Sequence, residues 1–380
     1  MAETVRLPRD DGTTYDYKPA GTFRYAAVGE APRSRIAYAA THVAADAHGA
    51  IDWNHTLAFR RHIWSYGLGV AEAMDTAQRG MGVDWDAAKE LIRLSVAEAR
   101  AAGGKIVCGA QTDQLAPGSA RSLRDIEAAY EEQCEVVESQ GGQVVLMASR
   151  ELAKIAQGSD DYIRVYDRVL SQLRRPAIIH WLGEMFDPAL AGYWGHDDLD
   201  TAEEVCLAII SAHRDAVEGV KVSLLDQKRE VAMRKRLPAG VHMFTGDDFD
   251  YATTIAGDGD RYSDALLGAF DMIAPAASAA LLALDAGETQ RYGDIMQSTL
   301  GLSRHVFSAP TAYYKTGIVF MAYLNGHQER FLMIGGLEGA RSMPHLAQIF
   351  VLADRAGLLR DPELASYRVR GAIAAAGVEG

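Results

Sequence analysis

The sequence predicts an α/β protein, a (β/α)8 barrel with a C-terminal helical extension. Three observations carry that expectation. Eight short apolar runs recur at intervals with longer amphipathic stretches between them. The runs are apolar almost throughout, as parallel strands covered on both faces require. The intervening stretches open on capping residues and close on glycines. A chain of 380 residues, 48% hydrophobic, can fill one large barrel or two ordinary domains. Eight strand-helix units in succession favour the barrel over a doubly wound sheet.

Residues 1–33, rich in Gly, Pro, Asp and Tyr, read as an irregular arm or a short hairpin. The barrel is expected over 34–286, with strands at 36–40, 70–74, 105–108, 143–147, 177–179, 219–222, 241–244 and 266–270. Asp52 opens a helix that Gly67 closes, Asp84 opens one over 85–102 that Gly103-Gly104 ends, and Ser122 opens one over 123–140 that Gly141-Gly142 ends. Beyond Pro275 the apolar runs lengthen and turn Ala/Leu-rich at 276–284, 315–324 and 345–359, so residues 287–380 are expected to form a helical region.

A net charge of −13 with no block of Lys and Arg argues against a nucleic-acid surface. Cys108, Cys134 and Cys206 are odd in number and widely spaced, which suits reduced thiols rather than a disulfide framework or a structural zinc site. The polar first residues lack the apolar centre of a signal peptide, and no apolar span is long enough for a bilayer. A cytoplasmic location follows as an expectation.

One residue breaks the pattern. In Val217-Glu218-Gly219-Val220-Lys221-Val222-Ser223, a lysine sits where a buried strand should end. Its stem could snorkel, or its ammonium could enter a buried ion pair. Alternatively, desolvation lowers its pKa and leaves a neutral amine able to attack a carbonyl and form a Schiff base. In a (β/α)8 barrel the loops at the C-terminal ends of the strands converge on one mouth, and Lys221 falls at the end of the sixth.

Several motifs, in this order and spacing, resemble the dihydrodipicolinate synthase and N-acetylneuraminate lyase family of Schiff-base aldolases. Gly219-Val220-Lys221 resembles its Gly-Ile-Lys, which carries the imine-forming lysine, and Thr245-Gly246-Asp247-Asp248 resembles its Ser-Gly-Asp-Asp after strand seven. Residues 265–275 with 278–286 are similar to its strand eight and following helix, Arg341-Ser342-Met343-Pro344 to its Arg-Leu-Pro, and Asp46-Ala47-His48-Gly49-Ala50-Ile51-Asp52 to its Asp-x-x-Gly-x-Ile-Asp. The resemblance spans residues 35–359. It implies a homodimeric or homotetrameric lyase that makes or breaks a carbon-carbon bond next to a carbonyl held as an imine. No cofactor is expected.

Two departures bear on the substrate. The family's Gly-Thr-Thr-Gly-Glu, whose threonines hold the carboxylate of a 2-keto acid, reads here as Asp75-Thr76-Ala77-Gln78-Arg79; one hydroxyl stays, one is lost, and Asp75 would repel an anion. The family's Thr-Pro-Tyr-Tyr, source of its proton-relay tyrosine, reads Ala148-Ser149-Arg150-Glu151. His180 at the end of strand five, or Glu184 four residues on, is expected to replace that tyrosine as proton shuttle, although either could be a structural hydrogen-bonding residue. Asp75, Thr76, Gln111, Asp113 and Asp248 are the expected substrate contacts, with Asp113 equally readable as a loop or helix cap. Asp75, Gln111, Asp113, His180 and Glu184 together make a mouth rich in acceptors and poor in fixed cations, which suits a neutral keto sugar or related hydroxy-carbonyl compound better than pyruvate.

Two other readings stand beside the aldolase. His42, Asp113, His180 and Glu184 are residue types that bind a divalent ion, so a metal-dependent aldolase, isomerase or dehydratase could use the same barrel, though no tight His-Glu-x-x-His spacing supports it. The barrel could also bind a metabolite without turning it over.

Overall fold

The computed structural model of the protein describes residues 3–27, 29–259 and 261–377; the outermost residues of the expected arm and of the C-terminal region, with Val28, lie outside them. Strands β1 (Val5–Pro8) and β2 (Thr14–Tyr17) pair as an antiparallel hairpin. The barrel then alternates β3 (Ala37–Ala40), α1 (Trp53–Ser65), β4 (Gly69–Glu72), α2 (Trp85–Ala102), β5 (Ile106–Ala110), α3 (Leu123–Ser139), β6 (Gln143–Leu146), α4 (Arg150–Ile155) and α5 (Ser159–Leu170). It continues through β7 (Ala177–Leu182), α6 (Leu199–Ala212), β8 (Val217–Ser223), α7 (Gln227–Arg236), β9 (His242–Thr245), α8 (Tyr251–Ala256), β10 (Asp264–Leu267) and α9 (Ala269–Asp285). Four further helices follow: α10 (Thr289–Val306), α11 (Tyr314–Leu324), α12 (Met343–Arg355) and α13 (Pro362–Ala375).

Strands β3 to β10 close into an all-parallel barrel in sequence order. Because side chains alternate along a strand, one set fills the barrel and the other meets the helices. Tyr38, Ala40, Ala71, Val107, Val145, Ile178, Phe244 and Leu266 form the inner cluster, while Val70, Cys108, Ile179, Val220 and Val222 join the outer core. All three cysteines are buried and free.

The caps form where the residues call for them. Asp52 accepts the amide of His55 at 3.0 Å, Asp84 that of Ala87 at 2.9 Å, and Ser122 with Asp125 completes a capping box. Gly103 ends α2 at φ 67°, where a side chain would be strained. The last strand differs from expectation: it ends at Leu267, and Phe270 lies in α9. The apolar run continues unbroken from buried strand into buried helix, so hydrophobic pattern alone cannot mark the boundary.

The arm docks on the face opposite the mouth and on the C-terminal helices. Asp354 of α12 accepts the Tyr17 hydroxyl at 2.7 Å and the Ala20 amide at 2.8 Å, and Asp285 at the end of α9 accepts the Arg33 amide at 2.7 Å. Gly67, just before β4, packs on the backbone of Glu30 and Ala31, and a Cβ there would lie 2.6 Å from Ala31 Cα. Among the described residues no helix is long and apolar enough to cross a membrane.

Candidate active site

Lys221 lies in the inner set of β8, opposite His180 on β7 and Phe244 on β9. It is 7% exposed, and among the described residues it has no hydrogen-bond or ion-pair partner. Burial pushes its amine below the ordinary lysine range, while the charges of Asp248 and Asp75 oppose that shift. Gly246 makes room for it: a Cβ there would stand 3.0 Å from Lys221 Cε and 2.7 Å from the Val222 carbonyl oxygen, and would collide with Ser223 Oγ.

Asp248 is buried at the entrance to α9. Its Oδ1 accepts the Ala269 amide at 2.8 Å, at the positive end of the helix dipole. Burial pushes the Asp248 carboxyl up to about 7; the Ala269 hydrogen bond and the charge of Lys221 pull the other way. Burial thus acts on both groups in opposite directions, lowering the affinity of the Lys221 amine for its proton and raising that of the Asp248 carboxyl.

The strand-two loop enters the mouth as a 3₁₀ turn over Asp75–Ala77. Asp75 is half-buried, within electrostatic reach of Lys221. Thr76 is buried, and its Oγ1 shares a 2.9 Å hydrogen bond with the hydroxyl of Tyr314, the first residue of α11. Tyr314 stacks on Phe307 at 4.4 Å between ring centroids and meets Phe186 edge-on at 5.9 Å. Gly268, at the end of β10, lets this cluster close: a Cβ there would lie 3.0 Å from Phe307 and 3.4 Å from both Thr76 Oγ1 and Tyr314. Burial and the charge of Asp75 push the Tyr314 phenol well up, so it stays protonated. Next to it, Lys315 is 4% exposed, with its amine pushed down by burial.

Thus Lys221, Asp75, Thr76 and Asp248 come together, and His180 lies beside them. His180 is wholly buried; its Nε2 pairs with Ser223 Oγ at 3.1 Å, and Nδ1 has no partner among the described residues. Burial, then the charge of Lys221, pushes its pKa well below the ordinary value, so the ring stays neutral. Asp113 is placed elsewhere: it receives two hydrogen bonds from the buried Arg79 and one from Gln133 at 2.8 Å. Burial pushes that carboxyl up, but the hydrogen bonds and charge of Arg79 outweigh it and hold it low. Gln111 lies toward the rim, where it lines a cavity of about 680 Å³. Glu184 is exposed on an outer groove with His196, because the turn after β7 carries it outward while Phe186 turns in.

The four residues considered as metal ligands do not converge. His42 Nδ1 pairs with Asp271 at 2.8 Å, Asp113 with Arg79, His180 with Ser223, and Glu184 faces outward. Among the described residues no group of three or more His, Cys, Asp and Glu side chains is arranged to hold a metal ion.

Tyr314, Lys315 and Phe307 escaped the reading by strand ends, because they come from helices that follow the barrel. A signal was present: Lys315, like Lys221, is a lone lysine at the edge of an apolar run. Lys315 also corrects the expectation of a mouth poor in cations, since the helical region folds back over the strand ends and supplies an amine that strand order cannot place.

The barrel closely follows known architecture. A prophage protein of the dihydrodipicolinic acid synthase family from E. coli K12, solved in complex with pyruvate, superposes with a TM-score of 0.67 at 13% identity, over 85% of this chain and 99% of that one. Dihydrodipicolinate synthase from Aquifex aeolicus gives 0.64 at 12% identity over 86% and 99%, and a putative dihydrodipicolinate synthase family protein from Coccidioides immitis 0.56 at 16% over 92% and 100%. The fold expected from the motifs is therefore the fold observed. No curated protein matches the sequence. Residues 5–378 match the family described as protein of unknown function (DUF993), and the chain belongs to that family.

Proposed function

We propose that the protein is a class I lyase of the aldolase type, in which Lys221 captures a hydroxy-carbonyl substrate as an imine. The observation that carries this reading is the buried amine of Lys221 on the inner face of β8, which has no hydrogen-bond or ion-pair partner among the described residues. A lowered amine pKa leaves a neutral fraction for attack on the carbonyl carbon. Protonated Asp248 then gives its proton to the hydroxyl of the carbinolamine, which leaves as water and forms the iminium.

The iminium draws electrons from the neighbouring carbon-carbon bond. As that bond breaks, the hydroxyl on the far carbon loses its proton to the Asp248 carboxylate or through the Thr76-Tyr314 pair, a route that the hydrogen bond between those two hydroxyls supports. His180, neutral and held by Ser223, packs beside the amine and adds no positive charge to it.

Borohydride reduction in the presence of hydroxyacetone, dihydroxyacetone and pyruvate, followed by peptide mapping, tests the reading. A reduced adduct on Lys221, absent from Lys221→Met, is expected. Absence of an adduct with every ketone, or an adduct on another lysine alone, would overturn it.

A further inference from the structure

Amine attack includes a step that Asp248 does not cover. As the Lys221 nitrogen bonds to the carbonyl carbon, the π pair moves onto oxygen, and the adduct carries a protonated nitrogen beside an alkoxide. One proton must pass from that nitrogen to that oxygen to give the carbinolamine, whereas the proton of Asp248 is used later, when water leaves. Lys221 and Asp248 are 7% and 4% exposed, so bulk solvent is poorly placed to carry it.

The inner face of the barrel narrows the choice of carrier. Lys221 stands between His180 on β7 and Phe244 on β9, and Ser223, two residues along the same strand, projects on the same face. Gly246 shows how near the hydroxyl lies: the space that a Cβ would fill there is bordered by Ser223 Oγ and, at 3.0 Å, by Lys221 Cε. Phe244 has no proton to exchange. The hydroxyls of Thr76 and Tyr314 are engaged with one another at 2.9 Å. Of the three side chains around the amine, Ser223 alone offers, on a single atom, both a proton to give and a lone pair to receive one.

His180 decides how that hydroxyl is turned. The ring is neutral, so it carries one N–H and one bare nitrogen, and only Nε2 has a partner, Ser223 Oγ at 3.1 Å; Nδ1 has none among the described residues. A buried N–H without an acceptor is the rarer and costlier defect, which puts the ring proton on Nε2, donating to Oγ, and leaves Nδ1 as the bare nitrogen. The serine then keeps its own proton and one lone pair free. A hydroxyl that donated to the ring instead would have its proton tied up there.

We propose that Ser223 is a catalytic residue, a hydroxyl that takes the proton from the adduct nitrogen as it gives its own to the alkoxide, with the His180 N–H as the positioning donor. One N–H and one O–H bond break and two O–H bonds form, so Ser223 ends as it began and no net charge enters the site. This step rests on the imine reading and adds a group to it; Asp248 keeps its proton for the water that departs. In the reverse direction the same hydroxyl returns the proton as the carbinolamine collapses to ketone and amine.

The test follows adduct formation in time. The protein is mixed with hydroxyacetone, dihydroxyacetone or pyruvate, whichever traps, and quenched with borohydride at successive intervals; the Lys221 adduct is then measured by peptide mapping. Ser223→Ala is expected to reach the plateau of the parent about 100-fold or more slowly, the scale of one general acid-base group. Equal plateaus with unequal rates set a catalytic hydroxyl apart from one that only shapes the site, since loss of shape would lower the plateau at a given ketone concentration. Ser223→Thr, which keeps a hydroxyl, should recover much of the rate. His180→Gln, whose amide can donate to the same oxygen, should stay nearer the parent than Ser223→Ala does. Ser223→Ala with the parent's rate, or slowed only in step with a fallen plateau, would overturn the assignment of Ser223. His180→Gln as slow as Ser223→Ala would overturn the role given to the ring proton. A parent protein that forms no Lys221 adduct with any of the three ketones would overturn the imine reading, and the relay with it.

Discussion

Gly246→Ala is the substitution that most directly probes how Lys221 is seated. The added methyl would stand 2.7 Å from the Val222 carbonyl oxygen and 3.0 Å from Lys221 Cε, and it would overlap Ser223 Oγ. The hydroxyl of Ser223 can rotate away, but the Val222 oxygen belongs to the backbone of β8, so β8 and β9 must separate or slide. Overpacking of this kind costs about 1–3 kcal/mol. In a chain of 380 residues that lowers Tm by a few degrees only. The effect on chemistry should be far larger, because displacing a reacting group by about 1 Å costs on the order of 100-fold. Thermal unfolding and the rate of borohydride-trapped adduct formation, measured together, check both numbers. A double variant separates the two contacts: Ser223→Ala frees the colliding hydroxyl but removes the hydrogen bond to His180, so Ser223→Ala/Gly246→Ala should cost about 0.5–2 kcal/mol less than the sum of the singles. A Gly246→Ala protein with the Tm and trapping rate of the parent would refute the account of how the lysine is held.

Two further outcomes are expected. Tyr314→Phe removes the hydroxyl on Thr76 and keeps the rings against Phe307 and Phe186, so stability should change by about 1 kcal/mol; deuterium exchange at the carbon next to a captured carbonyl, followed by NMR, should slow by about 100-fold or more, and unchanged exchange would remove the phenol from the proton route. Glu230 is buried, and burial pushes its carboxyl up to about 7 against the hydrogen bonds from Ser263 and Thr245. The folded protein then binds more protons than the unfolded chain between its ordinary carboxylate range and about pH 7, so this residue makes stability fall as pH rises through that window. Glu230→Gln should gain on the order of 3 kcal/mol relative to the parent on going from pH 4 to pH 8, read by denaturant unfolding at both, and parallel curves would contradict it.

The eight strands and their order were legible because each is a local event: an apolar run, a cap before the next helix, a glycine after it. Lys221 was legible for the same reason, being a charge where the local pattern demands an apolar residue. Asp75, Thr76 and Asp248 followed from lying at strand ends, which barrel closure gathers at one rim. Glu184 did not, since the direction of the turn after β7 is decided by Phe186 packing against Tyr314, a residue 128 positions further along. Asp113 did not, because its partner Arg79 belongs to another loop.

By itself, then, the sequence determined the barrel, its strand order and the amine at its centre, because periodicity, caps and a misplaced charge act over a few residues. Only the tertiary structure decided what surrounds that amine. Helices α10 and α11 return over the mouth and bring Phe307, Tyr314 and Lys315 to Thr76 and Asp75, contacts between segments more than 200 residues apart that depend on how two buried surfaces fit. The same packing brings the buried amine of Lys315 to a mouth that, by its strand ends, looked short of positive charge.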